Sequence, residues 1–150
     1  MKVSSFMVPK DKVISCSPED PLEKAMNLML DSVIGSIVVL SNDGIPVGIV
    51  TKTDLLQGWA KGLDAKNNTV ADVMGTTIET ILDTSPTGIA AEHFERKKHR
   101  HAFVVDKDGV YVGIVTAYDI AVETARDNKA WPYTNRDAIA EKFRVPTHAH

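Results

Sequence analysis

The stretch VGIVTKTDLL at residues 47–56 returns as VGIVTAYDIA at residues 112–121, an offset of 65. No other feature restricts the fold as strongly, because self-similarity at a fixed spacing means one supersecondary unit used twice. Residues 13–56 lie on residues 78–121 without a gap. Pro21 falls on Pro86, Ala25 on Ala90, Val39 on Val104, and the run from Val47 to Thr51 on the run from Val112 to Thr116. Where the letters differ the chemistry holds: Val13 faces Ile78, Ser15 faces Thr80, Met29 faces Phe94 and Leu55 faces Ile120.

Both copies share one grammar. A short strand, KVISCS or TIETIL, leads to Pro21 or Pro86 at the start of a helix, where a missing N–H costs nothing. Leu22, Ala25, Met26, Met29 and Leu30 then recur at three-and-four spacing, which predicts one buried helix face. Asp43-Gly44 and Asp108-Gly109 sit between β-branched runs and predict hairpins. After Thr51 and Thr116 the period becomes helical. The expected fold is α+β, two β-α-β-β-α units docked with pseudo-two-fold symmetry, since about 50 residues build too small a core alone. The expected divisions are 1–62, 63–128 and a C-terminal extension, 129–150, which begins near Trp131. Thr69 with Asp72 predicts a capped turn entering the second copy, and SSFMVP a similar entry to the first.

Thr-x-x-Asp at a strand-to-helix junction is first of all a capping box, with the threonine oxygen accepting from an early helix N–H and the aspartate reaching back. Its duplication behind the same Gly-Ile-Val admits a second reading. A glycine lets a ligand approach the strand closely, an ionised carboxylate offers only acceptors, and a ribose presents two neighbouring hydroxyl donors. The unpaired N–H groups of the helix start suit a phosphate. Cap and ligand site both remain open on these residues.

Two β-α-β-β-α copies, each opened by a turn like DVM and closed by Gly-hydrophobic-x-Thr-x-x-Asp, resemble a tandem pair of cystathionine β-synthase (CBS) domains, a Bateman module, over residues 1–128. The resemblance implies a regulatory sensor of adenosine nucleotides (AMP, ADP, ATP or related adenosyl ligands) that frequently dimerises. It implies ribose binding by Asp54 and Asp119, and phosphate or ribose contacts from Thr51 and Thr116. Arg100 and His101 match the family's basic pair before the second strand, where the first copy has Gly35 and Ser36. Ile14, Ser15, Glu79 and Thr80 match the adenine pocket. Glu79 replaces Ile14 and Tyr118 replaces Thr53 between the copies, so unequal sites are expected.

The remaining residues narrow the alternatives. With 150 residues, 43% hydrophobic content and a formal charge of −3, the chain lacks the bulk charge of a protein that lives on nucleic acid or anionic membrane. No apolar run reaches signal-peptide or membrane-span length, and Cys16 is the sole cysteine, which together predict a cytoplasmic protein. The sequon at 67–69 reads as polar linker. Arg96, Lys97 and Lys98 read as a solvated helix end, whereas His93, His99 and His101 make a weak metal set, so no metal is expected. Cys16 reads as core. No nucleophile or base stands at a recognisable spacing, and no enzyme, catalytic residue or catalytic cofactor is expected. Two classes remain: a nucleotide sensor acting as a homodimer on an unidentified effector protein, and a scaffold that keeps the fold with Thr-x-x-Asp serving only as caps.

Overall fold

The computed structural model describes residues 1–97 and 100–127, so Lys98, His99 and the extension with Trp131 lie outside the described residues. The chain divides into two compact units, a continuous one of Lys12–Ile78 and a discontinuous one that joins Met1–Asp11 to the chain from Glu79 onward.

The continuous unit holds β2 (Ser15–Cys16), α1 (Leu22–Ser32), β3 (Ser36–Leu40), β4 (Pro46–Thr51) and α2 (Lys52–Ala60). Its sheet runs β2-β3-β4, with β2 parallel and β4 antiparallel to β3. The discontinuous unit holds β1 (Val8–Pro9), β5 (Thr80–Leu82), α3 (Thr87–Lys97), β6 (His101–Val105), β7 (Tyr111–Thr116) and α4 (Ala117–Asp127), in the sheet order β1-β7-β6-β5. Both hairpins form as the Asp-Gly pairs require, with Gly44 at φ 77° and Gly109 at φ 80°, where only glycine escapes a Cβ clash. The β-α-β-β-α grammar read from the repeat is the observed one, though the opening strands pair over only two and three residues rather than six.

One face of each sheet is covered by its helices. Cys16, Ala25, Met29, Ile37, Val39 and Val50 close one core; Ile81, Ala90, Phe94, Val104, Val115 and Ile120 close the other. The helix face expected in α1 needs one correction: Leu22, Ala25 and Met29 are buried, but Leu30 is 74% exposed. The core centres on the 22-25-29 line, which leaves Met26 and Leu30 about 100° round the helix on its flank.

The lead-in segments join these units in exchanged order. Val3, near the chain start, is fully buried in the core built by the second copy, and Val70, which precedes the second copy, is fully buried in the core built by the first. Their backbones are held alike: Val3 N–H donates to Ser85 O (2.9 Å) and Val70 N–H to Asp20 O (2.9 Å). A few residues on, Val8 and Pro9 pair with Ile114 and Gly113, while Gly75 bridges Ile49. Each buried valine contributes about 1.5–3 kcal/mol, enough to bias a small core toward the completed state.

Candidate functional site

Thr51 and Thr116 end their sheets and cap the next helix. Asp54 N–H donates to Thr51 Oγ1 (3.1 Å) and Thr51 N–H to Asp54 Oδ2 (2.8 Å). Asp119 N–H donates to Thr116 Oγ1 (3.1 Å) and Thr116 N–H to Asp119 Oδ2 (3.0 Å). Both capping boxes are therefore complete. Each uses one carboxylate oxygen, and among the described residues Oδ1 of either aspartate accepts no hydrogen bond. A carboxylate has room for both duties, so the capping and ligand readings do not exclude each other.

The repeated glycines have a different partner from the ligand expected of them. A Cβ at Gly48 would meet Gly75 O at 2.5 Å, and one at Gly113 would meet Val8 O at 2.5 Å. The space is filled by the chain's own lead-in backbone, which hydrogen-bonds there (Gly75 N–H to Ile49 O, 2.8 Å).

Strand register divides the remaining candidates between two faces. Ser15 pairs with Val38 and Ser36 with Thr51; Thr80 pairs with Phe103 and His101 with Thr116. Alternation along a strand then puts Ser15 on the face of Thr51, and Thr80 and His101 on the face of Thr116. Ile14 and Glu79 fall on the opposite, helix-covered faces. Their carbonyls accept from Val38 N–H (3.3 Å) and Phe103 N–H (2.8 Å), and Glu79 Oε2 lies 3.9 Å from His93 Nε2. Arg100 is exposed, and its carbonyl accepts from Ala117 N–H (2.9 Å) at the start of α4. Burial holds the His101 imidazole below its usual range, the Arg100 charge adds to this, and Asp119 opposes it. At neutral pH His101 thus offers a neutral ring. Among the described residues no group of three His, Cys, Asp or Glu side chains could hold a metal ion.

Asp119 also lies on the wall of a cleft of about 470 Å³ in the discontinuous unit. Phe6 and Ser5 approach from the lead-in, and Tyr118, Val122, Glu123 and Arg126 from the same face of α4. Glu123 is buried, at 4% exposure, and accepts from Arg126 Nη1 at 2.8 Å. Arg100 and His101 do not line it. Sequence reading missed Phe6 and Arg126 because nothing in the repeat indicates that the lead-in serves the other copy. Tyr118 was visible only as a departure from Thr53.

A family model described as the CBS domain matches residues 3–61 and 70–125. The inosine-5'-monophosphate dehydrogenase of Thermoplasma acidophilum is 32% identical over 126 residues, 84% of this chain but 24% of that enzyme, so the chain spans about a quarter of this relative's length. Among solved structures, CBSX2 in complex with AMP superposes with a TM-score of 0.69 at 26% identity, covering 85% of this chain and 98% of that one. The CBS domain of a bacterial CNNM/CorC family Mg2+ transporter in complex with ATP gives 0.74 at 24% identity, covering 82% and 86%.

Proposed function

The chain belongs to the CBS-domain family, as a pair of such domains, and we propose that it is a regulatory module that binds an adenosine nucleotide and transmits its occupancy to a partner protein. The observation that carries the reading is Asp119, which completes its cap through Oδ2 and keeps Oδ1 uncommitted on the wall of the cleft. That leaves an acceptor for a ribose diol at no cost to the helix. The AMP complex of a relative 26% identical supports the ligand class. Asp54 repeats the chemistry in the other unit, with Thr51 and Thr116 beside the two carboxylates. Arg100, His101, Ser15 and Thr80 remain candidates on the sheet side, and Ile14 and Glu79 contribute backbone. The module acts without chemistry of its own, in the cytoplasm and as a homodimer that buries the exposed Leu30, Leu56 and Trp59. Light scattering on the full chain and on Trp59→Ser tests the dimer. Equal mass for both at micromolar concentration removes this face from it.

A thermal-stability screen against AMP, ADP, ATP, S-adenosylmethionine and GTP tests the ligand. A nucleotide at a hundred times its Kd adds about 2.7 kcal/mol, or roughly 5–11 °C in Tm for a chain of this size. Asp119→Asn keeps an oxygen for the cap and removes the charge, so it should leave the ligand-free Tm within a few degrees while cutting the increment. No increment with any adenosine ligand in the wild type leaves the capped scaffold as the function.

A further inference from the structure

We propose that the groove between α1 and α2 of the continuous unit is a separate small-molecule site, for a medium-chain acyl carboxylate whose chain lies along the groove and whose head pairs with Lys52. The groove encloses about 440 Å³, within the range of small-molecule sites. Asp54 does not line it, and nothing in the groove depends on a nucleotide. Leu22 and Met29 on α1, both 4% exposed, make its floor with the half-buried Met26, Leu55 and Leu63. Leu30, Leu56 and Trp59 stand along its rim, each at least 66% exposed. From residue 22 to residue 30 the axis of α1 advances about 12 Å, a run that an unbranched chain can follow.

Among the described residues Lys52 is the one charged side chain on this otherwise apolar wall. It is exposed, and among the described residues no carboxylate pairs with it. It is also the first residue of α2, where a cation opposes the helix dipole, so helix formation does not account for it. An anion at that place meets both the ammonium and the positive end of the helix. A ligand that satisfies the whole groove therefore has one anionic end and an apolar body. A carboxylate on an alkyl chain is the simplest molecule of that kind.

The other copy lacks both halves of this arrangement. At the offset of 65, Ala91, Ala121 and Thr124 replace Met26, Leu56 and Trp59, and Ala117 replaces Lys52. With these smaller side chains α3 packs directly on α4. A helix pair that only had to cover its sheet needs neither the groove nor the lysine. The homodimer proposed above buries the rim residues, whereas the acyl chain takes the floor beneath them, so ligand and partner occupy different depths of one face.

Calorimetric titration of the full chain with hexanoate, octanoate and octan-1-ol, all below micelle-forming concentrations, tests the site in wild type, Lys52→Met, Leu56→Asp and Ile45→Asp. Each methylene should tighten binding about 4-fold, so octanoate should bind roughly 15-fold more tightly than hexanoate. Lys52→Met keeps the apolar stem and should weaken octanoate about 2- to 5-fold without changing octan-1-ol. Leu56→Asp, at an exposed rim position, should abolish octanoate binding, whereas Ile45→Asp, exposed on the hairpin loop, should leave it unchanged. In the wild type, nuclear Overhauser contacts should join the alkyl chain to the methyl groups of Met26 and Met29. No octanoate binding by wild type, no gain with chain length, or equal losses of octanoate and octan-1-ol in Lys52→Met would overturn the proposal. So would adsorption to phosphatidylglycerol vesicles without binding of free octanoate, which makes the face a membrane surface. If octanoate fails to bind while Trp59→Ser alters the mass in solution, the groove belongs to the second copy alone.

Discussion

Gly48 and Gly113 provide the sharpest test of the exchanged lead-ins. An alanine methyl at either site would stand 2.5 Å from a backbone carbonyl, Gly75 O or Val8 O, and 3.1 or 3.0 Å from the sulfur of Met74 or Met7. A methionine tail can swing away, but a carbonyl in a strand pair moves only with its strand. At Gly48 the movement pulls on two hydrogen bonds, Gly75 N–H to Ile49 O (2.8 Å) and Ile49 N–H to Gly75 O (3.0 Å). Overpacking of this kind costs about 1–3 kcal/mol, and at roughly 2–4 °C per kcal/mol Tm should fall by about 2–12 °C. Gly88 is the control. It lies in the first turn of α3 with nothing within 4 Å of an added Cβ, so Gly88→Ala should be neutral or stabilise by up to about 1 kcal/mol. Calorimetry of the three variants decides it. Gly48→Ala and Gly113→Ala as stable as wild type, or Gly88→Ala as damaging as either, would refute the close approach.

Two further outcomes follow from single residues. Val33 ends α1 in the left-handed region (φ 53°, ψ 49°) at 87% exposure, a conformation in which a branched Cβ is strained and glycine is not. Val33→Gly should raise stability by about 1 kcal/mol and shift the urea midpoint upward at constant slope; a lower midpoint contradicts the strain. Burial raises the Cys16 thiol to about 11, against about 9 for an ordinary thiol, with Asp20 adding and Lys24 opposing. The native thiol thus keeps its proton where the unfolded one loses it. Its contribution is intact below about pH 9 and is lost as pH rises through about 11, on the order of 2–3 kcal/mol. Cys16→Ala should flatten the stability–pH curve over that window, and in the wild type a thiol reagent at pH 8 should react far faster with the unfolded than with the folded chain. Parallel curves for wild type and variant would count against it.

The repeat made most of the fold legible because its signals are local. Asp-Gly hairpins, prolines before helices and Thr-x-x-Asp caps each act within a few residues, and all formed where the spacing put them. Two features were not legible for the same reason reversed. Leu30 looked like part of the helix face because periodicity gives the width of an apolar stripe, and only packing decides which edge of it meets the core. The partners of Gly48 and Gly113 were invisible because Gly75 and Val8 belong to the neighbouring repeat's lead-in, and sliding a sequence over itself compares copies without indicating which segment completes which unit.

That exchange also explains why the candidate site was only half readable. Asp54 and Asp119 are interchangeable as letters and as caps, with matching hydrogen bonds to Thr51 and Thr116. What separates them lies on the next turns of the helix and on the segment packed against it. Gly58 admits Val73 so closely that no side chain fits, whereas Glu123 brings a buried carboxylate that Arg126 must balance, with Phe6 at the same cleft. A motif that stabilises its helix unaided is kept in both copies whatever happens around it. The duplicated aspartate therefore marks where the two copies are alike, and the unduplicated Phe6, Tyr118 and Arg126 are what make the surroundings of Asp119 differ from those of Asp54.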